Sequence, residues 1–97
     1  MIVELKDISE IRRMMDVGNR FNVTLEKISN IEYRLIFDVA GGSRFNLSTQ
    51  KRKDRELKEK IFTTSDAALL EVHRLINNKQ LQNRINQVTV SFNHSQT

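Results

Sequence analysis

Hydrophobic and polar residues alternate through three successive runs between Phe21 and Gln50. Phe21, Val23 and Leu25 alternate with Asn22, Thr24 and Glu26. Ile31, Tyr33, Leu35, Phe37 and Val39 then alternate with Glu32, Arg34, Ile36 and Asp38. Phe45, Leu47 and Thr49 finally alternate with Asn46, Ser48 and Gln50. A period of two sends successive side chains to opposite faces of a strand, so the pattern predicts three strands with one dry face. Ser29-Asn30 separates the first two runs, and Ala40-Gly41-Gly42-Ser43 separates the second and third. Such short connections join antiparallel neighbours, and Gly-Gly supplies the positive φ of primed hairpin turns. The expectation is an antiparallel meander whose second face is polar.

Helical spacing flanks the meander. Ile8, Ile11, Met14 and Met15 recur on one face, Asp7 can cap the helix with Glu10 three residues on, and Gly18-Asn19 can stop it. Met1 to Leu5 fits either a short strand or an earlier helical turn. After the extended pair Ile61-Phe62, Thr63 and Asp66 have capping-box spacing, with Ser65 as an alternative cap. Ala68, Leu69, Val72, Leu75 and Ile76 form the inward stripe of a second helix, which ends at Asn77-Asn78. Lys79 to Ile85 fits a further short helical turn. Val88, Val90 and Phe92 alternate with Thr89 and Ser91 as a last strand, and residues 93–97 are expected to be a flexible tail. The predicted fold class is α+β: an N-terminal helix, a three-stranded antiparallel meander, then a helix and a final strand. No repeat, proline or linker-like stretch divides residues 1–97, which read as a single domain.

Composition adds a partner to this picture. A chain of 97 residues buries roughly two-thirds of its unfolded surface, enough for one modest core. With five Phe, one Tyr and no Trp, part of the apolar surface is left for a partner, most simply a second copy. Met14, Met15, Val17 and the outward Ile36 are the candidate seam of such a homodimer, although the first three also suit covering the dry face.

The net charge is +4, and it is localised. Arg44 to Lys60 holds seven basic and three acidic residues, an excess of four, while the remaining eighty residues carry nine of each sign. Clustered positive charge draws polyanions. Lys51 to Lys60 has Leu57 as its one apolar residue and fits an extension of the third strand, a loop or one charged helical turn. The candidate nucleic-acid-binding residues are Lys51, Arg52, Lys53, Arg55, Lys58 and Arg44. Such side chains bind phosphates by displacing counterions, and arginine adds forked contacts. The interspersed Asp54, Glu56 and Glu59 offset part of the charge. Arg20, Asn22, Thr24, Arg34, Asn46 and Ser48 on the polar sheet face suit phosphate or base edges, and the face has no aromatics for stacking bases, so the expected nucleic acid is duplex DNA. For both the run and the face, plain solvation is the competing reading.

Catalysis finds little support. The absence of cysteine excludes disulfides, thiolate metal sites and cysteine nucleophiles. Of two histidines, His94 lies in the expected tail and His73 on the second helix. No His-x-x-x-His or calcium-loop spacing occurs, and Gly41-Gly42 joins strands instead of opening a helix. The reading is therefore not an enzyme, with no cofactor and no metal. No apolar run approaches the ~20 residues that cross a bilayer, and the start is not a secretory signal, so a cytoplasmic protein without membrane contact is expected.

Leu47-Ser48-Thr49-Gln50-Lys51-Arg52, followed by Ile61-Phe62-Thr63-Thr64-Ser65-Asp66-Ala67-Ala68-Leu69-Leu70, resembles a pattern in small partition-associated and accessory proteins of plasmids and integrative mobile elements. In these, a strand ends in a Thr-Gln-basic run and an aromatic leads into a Ser/Thr-x-Asp-Ala-Ala helix. Here the connection is longer and more charged, and Asn77-Asn78 stands where a glycine is expected. The resemblance implies an accessory role in plasmid or mobile-element maintenance with DNA nearby, without enzyme activity or assigned site residues. The functional expectation is a small accessory DNA-binding or regulatory protein of a plasmid, phage or mobile element. The alternative is a non-enzymatic adaptor or inhibitor module that binds an acidic protein surface.

Overall fold

Asp7 ends one element and starts the next. Its backbone is extended, and its carboxylate accepts the Glu10 backbone N–H at 2.9 Å. Strand β1 (Glu4–Asp7) therefore passes straight into helix α1 (Ile8–Asp16). Glu10 does not return the capping-box bond; its carboxylate accepts from Lys6 Nζ at 3.4 Å instead. At the far end, Gly18 N–H donates to the Met15 carbonyl and Asn19 N–H to the Met14 carbonyl, the paired bonds of a Schellman stop. Gly18 takes φ +110° there, a conformation that disfavours any side chain. Because an N-cap satisfies an otherwise unbonded helix donor, Asp7→Ala should lower stability by about 1 kcal/mol. Urea denaturation would read this as a lower midpoint, with Asp7→Asn close to the parent.

The computed structural model describes residues 4–39, 42–50, 57–77 and 81–92. Asn78, Lys79 and the expected tail at 93–97 lie outside them. The three alternating runs form β2 (Phe21–Ser29), β3 (Glu32–Val39) and β4 (Arg44–Gln50), paired antiparallel in chain order. They are the centre of a larger sheet, which corrects the expected architecture. β1 runs parallel to β4, from Glu4 opposite Phe45 to Asp7 opposite Ser48. β6 (Ile85–Phe92) runs parallel to β2, and the short β5 (Leu57–Glu59) runs antiparallel to the end of β4. The described residues thus form a mixed six-stranded sheet in the order β1-β4-β3-β2-β6, with β5 on β4. Helix α1 carries the chain from β1 to β2 in the same direction, the crossover that a parallel relation needs. The first element is therefore a strand, not a helix. Glu4-Leu5-Lys6-Asp7 has one apolar residue and no decisive period, so the hydrogen-bonding edge of β4 settles its conformation.

Both helices lie on the dry face. Ile11 and Met15 of α1 and Ala68, Val72 and Leu75 of α2 (Ser65–Ile76) are buried against Phe21, Val23, Leu25, Leu35, Phe37, Phe45 and Leu47. Phe21 meets Phe37 edge-on, with ring centroids 5.8 Å apart, and Phe45 at 6.5 Å. Thr64 caps α2, its Oγ1 accepting the Ala67 N–H at 3.1 Å; the expected caps, Thr63 and Ser65, flank it. A 3₁₀ turn at Gln82–Arg84 leads into β6, and Arg84 Nε donates to the Met15 carbonyl at 2.8 Å, tying this turn to the end of α1. Among the described residues no helix is long and apolar enough to cross a membrane.

The expected dimer seam is not an open surface. Met15 is fully buried in the core, Met14 is half-buried against it, and Val17 is exposed. Ile36, read as an outward residue, is only 4% exposed. It faces the polar side, between Thr24 and Asn46 on the neighbouring strands. Arg34 and Asp38 flank it along β3, each held in an ion pair.

Candidate nucleic-acid interface

The basic stretch begins where two strands part. β3 and β4 pair at Asp38–Arg44, Phe37–Phe45 and Ile36–Asn46, and beyond this the returning chain bonds to both. β5 pairs with β4 through Ser48–Glu59, Thr49–Lys58 and Gln50–Leu57. Lys60 N–H donates to the Leu47 carbonyl at 2.9 Å, and Phe62 then exchanges two backbone hydrogen bonds with Tyr33 of β3, at 2.7 and 2.8 Å. Segment 57–62 is thereby bonded first to β4 and then to β3. Its side chains alternate, as a strand requires.

That alternation distributes the charges. Glu59 shares the polar face with Ser48 and Asn46. It accepts from Arg34 Nη1 at 3.2 Å and from Asn46 Nδ2 at 2.5 Å. Arg34 also pairs with Glu26 across β2 and β3. Lys58 and Lys60 fall on the helix face. Lys60 is drawn onto α2, with Nζ 2.7 Å from Glu71 Oε1 and 5.3 Å from the Phe62 ring centroid. Lys58 is exposed, and among the described residues no carboxylate pairs with it. Glu59, which the sequence offers as a counter-charge to its neighbours, serves Arg34 on the other face.

Of the six expected site residues, two are described. Arg44 lies on the polar face, its Nε 2.9 Å from Asp38 Oδ1. Lys58 lies on the opposite face, so the sheet does not bring these two together. Lys51, Arg52, Lys53 and Arg55 lie outside the described residues; they occupy the span between Gln50 and Leu57, which are register partners. The sheet face proposed to assist them is largely engaged already: Arg34 and Asn46 bind Glu59, and Ser48 is buried. Arg20 and Asn22 remain exposed. The Glu26–Arg34–Glu59 cluster is the feature that sequence reading missed. Its signal was the alternation Leu57-Lys58-Glu59-Lys60, hidden inside a run of charge.

Arg34→Ala would leave the Glu26 and Glu59 carboxylates, whose side chains are 19% and 29% exposed, without their shared cation. Orphaning partly buried charges is destabilising, and solvent reduces the effect here to about 1–2 kcal/mol. Urea denaturation should show this loss, and adding Glu59→Gln to Arg34→Ala should restore part of it.

Further possible sites contribute little. A cavity of about 160 Å³ opens between the start of α1, the end of β4 and α2, lined in part by Asp7, Ser48, Lys60 and Glu71. Ser48 Oγ is buried and has no hydrogen-bond partner among the described residues. His73 is exposed on α2, and among the described residues no cluster of three His, Cys, Asp or Glu is arranged to hold a metal ion. Comparison with protein-family models, with curated proteins and with solved structures finds no match to this chain.

Proposed function

We propose that this chain is a small accessory DNA-binding protein that holds duplex DNA by phosphate contacts from the basic segment joining β4 to β5. The observation that carries this reading is the pairing of Gln50 with Leu57. Gln50 and Leu57, which bound the segment that carries Lys51, Arg52, Lys53 and Arg55, thus lie side by side, next to exposed Lys58. An antiparallel strand pair is also an element that the major groove of B-DNA admits. Arg44, held by Asp38 on the other face, is a minor contributor. Because Arg34, Asn46 and Ser48 are engaged or buried, the binding is of the sequence-independent, counterion-releasing kind. The wider role, in the maintenance of a plasmid or mobile element, rests on the resemblance carried by residues 47–52 and 61–70.

An adaptor or inhibitor module that docks an acidic protein surface would use the same cations. Fluorescence anisotropy with a labelled duplex at low salt separates the two readings. Saturable binding with a dissociation constant of about 1 µM or below is expected for the DNA reading. No binding at low salt would sink it and leave the protein-docking reading standing.

A further inference from the structure

Among the described residues, strand β6 pairs on one side, with β2 along its length, and no strand bonds to its outer edge. It is eight residues long and carries no charge: Ile85-Asn86-Gln87-Val88-Thr89-Val90-Ser91-Phe92. The opposite border of the sheet, β1, is four residues long, and Glu4, Lys6 and Asp7 charge it. Sheet edges that stay apart from other chains are short, charged or covered. β1 is short and charged; β6 is neither.

Val88 and Val90 of β6 are exposed as well. Val88 lies opposite Val23 and Val90 opposite Leu25, so the dry face continues onto this strand. Ile85 at the start of β6 packs against the core, while Val88, Val90 and Phe92 are 42%, 52% and 57% exposed. Lys27 Nζ sits 5.5 Å from the Phe92 ring centroid. The turn just beyond that pair carries Ile31, which is also exposed.

We infer that a second copy of this chain pairs antiparallel with the outer edge of β6, joining the two sheets into one. The chemistry of the edge selects this occupant. An acidic or basic partner finds no charge on β6 to recognise. A second copy presents the same uncharged, β-branched strand, and pairing brings no like charges opposite one another. The contact is isologous and closes on itself. With a two-fold axis perpendicular to the sheet, centred on Thr89 or Val90, each exposed valine meets a valine or Phe92 of the second copy. Standard interfaces engage about 20–30 residues a side. β6 with Ile31 offers far fewer, so the dimer is weak and reversible, with a dissociation constant on the order of 10 µM.

Sedimentation velocity of the full chain without DNA tests this, over concentrations from well below to well above that constant. The parent is expected to shift from monomer to dimer across the range. Val90→Lys, which sets a cation at the centre of the pair in both copies, is expected to remain monomeric with the parent's unfolding midpoint. Val88→Lys serves the same purpose if Val90→Lys lowers that midpoint. A parent that stays monomeric throughout overturns the inference, as it would if the edge takes an extended segment of another protein. So does a lysine variant with the parent's midpoint that dimerises as the parent does. Since DNA is absent, the outcome is independent of the DNA reading.

Discussion

Phe37→Ala is expected to lower the unfolding free energy by about 4 kcal/mol, the largest stability effect of any single substitution considered. Phe37 is fully buried on the dry face of β3, between Val23 of β2 and Phe45 of β4. Its ring meets Phe21 edge-on at 5.8 Å. Truncation removes the transfer energy of the ring and leaves a cavity in the cluster it shares with the buried residues of both helices. The whole domain is worth roughly 5–15 kcal/mol, so the variant should sit near the limit of folding. Its melting temperature should fall by about 20 °C. Val17→Ala is the matched control: Val17 is 80% exposed, and its loss should change stability by no more than about 0.5 kcal/mol. If thermal and urea denaturation found less than about 1.5 kcal/mol for Phe37→Ala, the core would not lie where the sheet puts it.

Replacing Lys51, Arg52 and Lys53 together by alanine is expected to weaken duplex DNA binding about 100-fold or more at ~0.1 M salt. Each phosphate contact contributes about 0.9 to the slope of log affinity against log salt, so the slope should fall by about 2.7. Arg44→Ala should change affinity less than about threefold, because its guanidinium already holds Asp38 and lies across the sheet from Lys58. Unfolding midpoints measured on the same samples separate lost contacts from lost structure. A triple variant that binds as the parent does at an unchanged midpoint would remove these three residues from the interface.

The central strands were legible because a buried face leaves a period of two, and Phe21 to Gln50 keeps that period through three runs. The α1 boundaries were legible because Asp7 and Gly18 perform local jobs that only a few residue types perform. Strand partners were less so. Alternation assigns a face but not a neighbour, so nothing in Val88-Thr89-Val90 announces a parallel pairing with β2. β1 carries one apolar residue, and three-residue β5 lies inside a charge run. Ile36 was misjudged for a related reason: alternation puts it on the polar face, and the pattern does not show that it is only 4% exposed between Thr24 and Asn46 there. At the candidate site, the charge excess was plain from composition. Its division between faces was not, because it depends on the register that pairs Glu59 with Ser48 and Lys58 with Thr49. Lys51, Arg52, Lys53 and Arg55 fall outside the described residues, so their place in the site rests on the paired ends of β4 and β5.

The salt dependence of duplex binding by the parent protein tests the proposed function most directly. If Lys51, Arg52, Lys53, Arg55 and Lys58 each meet a phosphate, log affinity should fall linearly with log salt at a slope of about −4.5. Absence of binding at ~50 mM salt, or an affinity that does not change as salt rises, would contradict it.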